Sequence, residues 1–332
     1  MKKSIVAALA AGALVLSGCA KTEVTEVSDS RTIGFSNFVN NSVKSINATE
    51  NLTNFYVYGG FEGSWNLFAD QEVVRNGQEW EYTPVKYWIE NVNYFYAAYS
   101  NNNDNANVTD KIFDGGVTNE LSFNFLCADP VDDDLLYATS APAAWDGQGA
   151  VDKVPFTFKH ILSKIAFKFT KSADLNGVDL KINNIKINPM IEGAFRGAPL
   201  NGADQYPLTC WQATGEAGDV PFNDLTIEED GGSATTEYRV VVPQSLTEEY
   251  IISFDVTFIA PNESGVIEEG GATETVPLTA AINGTENNVW NPGYVYIYSA
   301  TIAAENLDLT PIEFTATVSE WTDAAGTDLV IE

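Results

Sequence analysis

From about residue 120 onward the chain repeatedly alternates apolar and polar positions with period two. Leu121, Phe123 and Phe125 alternate with Ser122 and Asn124, and Ile165, Phe167 and Phe169 with Ala166, Lys168 and Thr170. Ile252, Phe254, Val256 and Phe258 alternate with Ser253, Asp255 and Thr257; Tyr294, Tyr296 and Tyr298 with Val295 and Ile297; Ile312, Phe314, Ala316 and Val318 with Glu313, Thr315 and Thr317. Side chains of a strand point to opposite faces in turn, so this pattern predicts strands with one face buried. Gly, Pro, Asn and Asp, the residues that turns require, separate the runs. No long segment has the 3.6-residue period of an amphipathic helix. In the run Asp179–Pro189 the alternation changes phase at Asn183-Asn184, which predicts a bulge or tight turn.

The pattern therefore predicts an all-β protein. Its length suits two β-sandwiches, since one sandwich takes roughly 100 residues or a little more. The first half is crowded with aromatic residues, as in FYVYGGFEGSWNLF and WEYTPVKYWIENVNYFYAAYS. Small residues with Pro142, Gly147 and Gly149 make Ser140–Lys153 the best linker. This divides the chain into an N-terminal sandwich over residues 32–152 and a C-terminal sandwich over 153–332.

The first 31 residues read differently. Lys2 and Lys3 precede an apolar run from Ile5 to Leu16, far too short to span a bilayer and typical of a signal peptide. The run closes with Leu16-Ser17-Gly18-Cys19, which resembles the bacterial lipobox, where a diacylglycerol is attached to the cysteine thiol. Residues 1–18 are thus expected to be a lipoprotein signal peptide, with Cys19 the lipidated residue. Residues 19–31 form a leader that ends at Arg31, the only arginine before position 75. A strand-like run beginning at Thr32 follows it.

Composition removes several function classes. The chain has 46 acidic and 17 basic residues, a formal net charge of −29, which argues against nucleic acid and against an anionic membrane surface as partners. The acidic runs Asp132–Asp134 and Glu228–Asp230 lack the spacing of a calcium loop. With Cys19 assigned to lipid, Cys127 and Cys210 remain, and they read as two separate core thiols. His160 is the only histidine and lies inside a strand; one imidazole and two distant thiols make neither an ordinary zinc site nor a nucleophilic triad. The expectation is a chain with no cofactor, no metal and no enzyme activity. Glycosidase chemistry needs only two carboxylates across a cleft, and the sequence singles out no such pair.

Five segments carry a resemblance. They are Trp80-Glu81-Tyr82-Thr83-Pro84-Val85-Lys86-Tyr87-Trp88, Tyr94-Phe95-Tyr96-Ala97-Ala98-Tyr99, Phe158-Lys159-His160-Ile161-Leu162-Ser163-Lys164, Trp290-Asn291-Pro292-Gly293-Tyr294-Val295-Tyr296 and Val318-Ser319-Glu320-Trp321. In this order, behind a lipobox, they resemble the fimbrillin-like (Mfa-like) proteins of Bacteroidales. The resemblance implies two transthyretin-like β-sandwich domains, export as a lipoprotein precursor to the surface of the outer membrane, and assembly into type V pili. It implies that a trypsin-like protease cuts between Arg31 and Thr32, which removes a leading strand and opens a groove. The C-terminal strand of another subunit then fills that groove. Two runs are candidate donors: Ile312, Phe314, Ala316 and Val318, with the longer alternation, and Leu329 with Ile331, at the terminus. The implied partners are other pilus subunits by strand exchange, the outer membrane through the lipid on Cys19, and a receptor on a host or bacterial surface. The competing expectation is a surface lipoprotein that keeps its lipid, either as a pilus anchor or to bind glycans through its aromatic-rich first half.

Overall fold

The computed structural model describes residues 31–39, 52–101, 106–131, 133–149, 151–197, 200, 203–228, 232–246, 251–261, 273–281, 288–308 and 310–321. Cys19, Leu329 and Ile331 lie outside the described residues. The strands up to the expected linker are β1 (Phe35–Val39), β2 (Asn54–Phe61), β3 (Ser64–Asn76), β4 (Glu79–Glu81), β5 (Tyr94–Ser100), β6 (Val108–Asp114), β7 (Glu120–Leu126) and β8 (Leu136–Thr139). Beyond it come β9 (Val154–His160), β10 (Ser163–Lys171), β11 (Asp179–Ile187), β12 (Met190–Gly197), β13 (Trp211–Ala217), β14 (Val220–Pro221), β15 (Leu225–Ile227) and β16 (Ser233–Thr235). The last are β17 (Arg239–Val241), β18 (Gln244–Ser245), β19 (Ile251–Ile259), β20 (Thr273–Ala281), β21 (Val289–Trp290), β22 (Tyr294–Ile302) and β23 (Thr315–Glu320). The all-β expectation holds.

A seven-stranded sheet has the order β1-β9-β8-β5-β2-β3-β4, and a four-stranded sheet the order β13-β12-β7-β6. Two five-stranded sheets follow, β16-β10-β22-β23 with β17 also beside β10, and β14-β11-β19-β20 with β15 also beside β11. Pairing crosses the boundary expected near residue 152. β9 is hydrogen-bonded to β8 and β1 in the first sheet, and β12 to β7 in the second.

Three cores fill the spaces between these sheets. The first sheet curls until its edge strands β1 and β4 come together. Inside the curl lie Phe35, Phe55, Phe68, Tyr94, Tyr96, Phe156 and Phe158. Its outer face packs on the four-stranded sheet, where Tyr56, Tyr99 and Tyr137 meet Phe123, Phe195 and Trp211. The third core lies between the two five-stranded sheets, with Phe169 and Phe254 at 5.0 Å and Phe167 and Phe314 at 5.8 Å between ring centroids.

This layering explains the hydrophobic patterns. In β7 the buried Leu121, Phe123 and Phe125 alternate with half-exposed Ser122 and exposed Asn124. Strands β2 and β5 are buried on both faces: Tyr94, Tyr96 and Ala98 enter the curl while Ala97 and Tyr99 face the four-stranded sheet. A strand covered on both sides needs no polar face, so it reads as a continuous apolar run. β22 behaves likewise, with Tyr296 and Tyr298 in one core and Val295 and Ile297 in another. The phase change in β11 is a bulge, since its register with β19 shifts between Asn183 and Lys186 and Asn184 has φ 56°. A second irregularity falls at Gly59, where an added Cβ would lie 2.2 Å from the Phe95 carbonyl oxygen.

Burial raises the tyrosine hydroxyls. Tyr82 is pushed from 10.0 up to about 12, chiefly by desolvation, and Tyr58, Tyr96, Tyr137 and Tyr298 are also raised, burial again being the largest cause. A group with a raised folded-state pKa stabilises the fold fully below its unfolded value and loses that contribution as pH climbs through the folded value. Urea stability is therefore expected to hold to about pH 10 and to fall between roughly 10 and 12. Urea melts across that range, with tyrosinate absorbance followed in parallel, check this.

Candidate functional site

Both chain ends of the described core are anchored by specific contacts. At the N-terminal side, half-buried Arg31 accepts the Trp88 N–H through its carbonyl oxygen at 3.0 Å, and Thr32 bridges to Tyr87. Ile33 donates its N–H to the Lys86 carbonyl at 2.9 Å and accepts the Tyr82 hydroxyl at 2.7 Å. Behind these bonds Ile33 and Phe35 are buried. The Phe35 ring lies within 6.2 Å, centroid to centroid, of Phe55, Phe68, Tyr82, Tyr96 and Phe156. Among the described residues the buried core thus starts two residues after Arg31. Burying Ile33 and Phe35 stabilises the fold by about 1.5–3 kcal/mol each. The Arg31–Thr32 bond sits at the border of this anchored segment.

At the other end, the structure separates the longer candidate donor run into two parts. Ile312 and Phe314 are buried in the core between the five-stranded sheets. Half-buried Ala316 and exposed Val318 belong to β23, which pairs antiparallel with β22 from Tyr294↔Glu320 to Ser299↔Thr315. The second part of the run is thus in an edge strand of this chain's own sheet, and the first part is core. β23 itself is mostly exposed, so its grip comes from its two ends, Phe314 before it and Trp321 after it.

Trp321 is 5% exposed and is held from several sides. Its ring stacks on His160 at 4.1 Å and 8° between planes, and the Lys164 ammonium lies 5.0 Å from the ring centroid. Its N–H donates to the Gly293 carbonyl at 2.8 Å. His160 is itself 1% exposed, and its Nδ1 lies 2.8 Å from an Asp134 oxygen. The single histidine is therefore a pin for the end of β23. The sequence gives only a faint sign of this pair, because the two residues are 161 positions apart and both lie at strand ends.

Cys127 and Cys210 are separate thiols. Cys127 is buried, its Sγ 3.5 Å from the Val240 carbonyl oxygen, and desolvation raises its pKa. Among the described residues no group of three or more His, Cys, Asp or Glu is placed to hold a metal ion. Most first-half aromatics serve as core: Phe55, Trp88, Tyr94, Tyr96 and Tyr99 are 0–3% exposed.

Removing the ring of Trp321 leaves a cavity in a packed site, so Trp321→Ala is expected to cost about 3–5 kcal/mol. Val318→Ala, on the exposed part of the same strand, is expected to change stability by no more than about 0.5 kcal/mol. Denaturant melts of the two variants check the contrast; equal losses would contradict it.

The chain matches the model of the fimbrillin-like family over residues 40–321. A solved fimbrial protein from Bacteroides vulgatus is similar in fold, with a TM-score of 0.59 at 15% identity, over 88% of this chain and 100% of that one. A more distant likeness is to the fimbrial anchor protein Mfa2 from Porphyromonas gingivalis, with a TM-score of 0.40 at 13% identity, over 87% of this chain and 98% of that one. No curated protein sequence matches significantly. With 282 of its 332 residues inside the family match, the chain belongs to the fimbrillin-like family.

Proposed function

We propose that this protein is a structural and adhesive subunit of a type V pilus on the bacterial surface. It is exported as a lipoprotein through Cys19, cut after Arg31, and polymerised by strand exchange. Removal of residues 19–31 opens a groove in the first half of the chain, and the C-terminal residues of a neighbouring subunit fill it. An open groove in a sheet exposes unpaired backbone N–H and C=O groups together with apolar core, both costly in water. An incoming strand satisfies the backbone and places alternate side chains in the core at once. Each subunit gives and receives, so the contact does not close and a fibre grows.

The observation that carries this reading is the position of the two anchors. Among the described residues, the buried core begins at Ile33, just past Arg31, and its last member is Trp321. A cut after Arg31 therefore leaves every described core residue in place. Of the two candidate donors, the burial of Ile312 and Phe314 counts against the longer run, and the reading takes Leu329 and Ile331 as the donor. Freeing the run from Ile312 to Val318 would strip Ile312 and Phe314 from the core, at about 1.5–3 kcal/mol each, and unseat the Trp321 stack as well. The eleven residues after Trp321, fully extended, reach roughly 36 Å, ample for a strand of ordinary length.

Deleting residues 322–332 is expected to leave monomer stability within about 1 kcal/mol of the parent while abolishing fibres. Arg31→Ala is expected to leave an acylated precursor at the surface that does not polymerise. Electron microscopy of the surface and denaturant melts of the purified variants are the measurements. Normal fibres from either variant would overturn the reading.

A further inference from the structure

Three connections meet at one end of the curled sheet: the β2–β3 turn at Glu62-Gly63, the segment Asn91–Asn93 before β5, and the β6–β7 turn from Gly115 to Asn119. Between them lies a cleft of about 840 Å³. Its apolar surface comes from Phe61, Trp65 and Phe95, and its polar surface from Asn91, Asn93 and Asn119.

The rings of this cleft differ from the rest of the first half. Phe61, Trp65 and Phe95 are half-buried, whereas Tyr94 and Tyr96 beside them are 0% and 2% exposed. They are nonetheless fixed in place. Trp65 lies 6.0 Å from Phe95 and Phe61 lies 5.0 Å from Tyr94, centroid to centroid. The backbone of Gly115-Gly116 runs along the Trp65 indole so closely that a Cβ on either glycine would fall 2.5 or 2.7 Å from ring carbons. Only glycine permits that approach, and Gly116 also takes φ +84°, which other residues rarely adopt. The same turn orients an amide, since Gly116 donates its N–H to the Asn119 Oδ1 at 2.9 Å. The result is a set of preplaced rings bordered by amides at an open surface.

We propose that this cleft binds a neutral saccharide chain. The apolar faces of sugar rings match aromatic side chains, and their hydroxyls need paired donors and acceptors, which asparagine amides supply. The cleft volume falls within the range of small-ligand sites. Charge selects among glycans. Among the described residues no Lys, Arg or His lines the cleft, Glu62 borders it, and the chain carries a net −29, so sulfated or uronate chains are repelled. None of the described residues lining the cleft belongs to either chain-end segment of the assembly proposed above.

The test is affinity electrophoresis of the full mature chain in gels containing arabinogalactan, mannan or laminarin, with polygalacturonate as the anionic probe. At least one neutral polysaccharide is expected to retard the protein, and polygalacturonate is not. Trp65→Ala is expected to weaken that retardation by roughly tenfold or more. Because Trp65 also packs, Asn93→Ala is the second variant: the side chain is exposed, so its unfolding midpoint should match the parent while binding drops about threefold. Absence of retardation by all three neutral probes, equal retardation by polygalacturonate, or parental binding by Asn93→Ala and Trp65→Ala together would each overturn the proposal.

Discussion

A protein built almost wholly of strands buries apolar surface only by laying sheet against sheet or by curling a sheet on itself, and this constraint governs the whole molecule. Each sheet also has two edges whose backbone groups need partners. Here the first sheet meets the first demand by curling until β1 and β4 approach, with Phe35 at the centre of the enclosed rings. The five-stranded sheets meet the first demand by facing one another across Phe167, Phe169, Phe254 and Phe314. Thinly covered edges remain, among them β23, most of whose residues are exposed and which closes the β10–β22 sheet.

The assembly proposed above depends on how such edges are managed. The Ile33–Phe35 segment and Trp321 act as the two stops of the folded core, one next to the candidate processing bond and the other just ahead of the C-terminal residues. In the assembly proposed above, residues 19–31 are removed and residues after Trp321 are exchanged, while the described contacts at these two stops stay within the subunit. The His160–Trp321 stack matters for the same reason. It fixes the end of an edge strand most of whose residues are exposed.

Much of the fold was legible in the alternation of single-faced strands, and the bulge in β11 showed in the phase change at Asn183-Asn184. Strands buried on both faces, β2 and β5, gave aromatic richness without alternation, so their place as an inner layer was not legible. The run from Ile312 to Val318 alternated cleanly, yet only its second part is strand; Ile312 and Phe314 reach the core from the irregular segment ahead of β23, because burial period alone does not distinguish the two. The interleaving of strands across residue 152 was hidden as well, since a linker composition marks a surface segment and says nothing about which sheet the next strand joins. Arg31 stood out by its isolation. The cleft around Trp65 did not, because the glycine pair that shapes it lies 50 residues along the chain and meets the indole only in the folded sheet.

The most direct measurement is the N-terminal residue and intact mass of the subunit recovered from assembled surface fibres. A processed, exchange-competent subunit gives a chain that begins at Thr32 and carries no lipid. A chain that begins at an acylated Cys19 within those fibres would contradict cleavage at Arg31 and the assembly built on it.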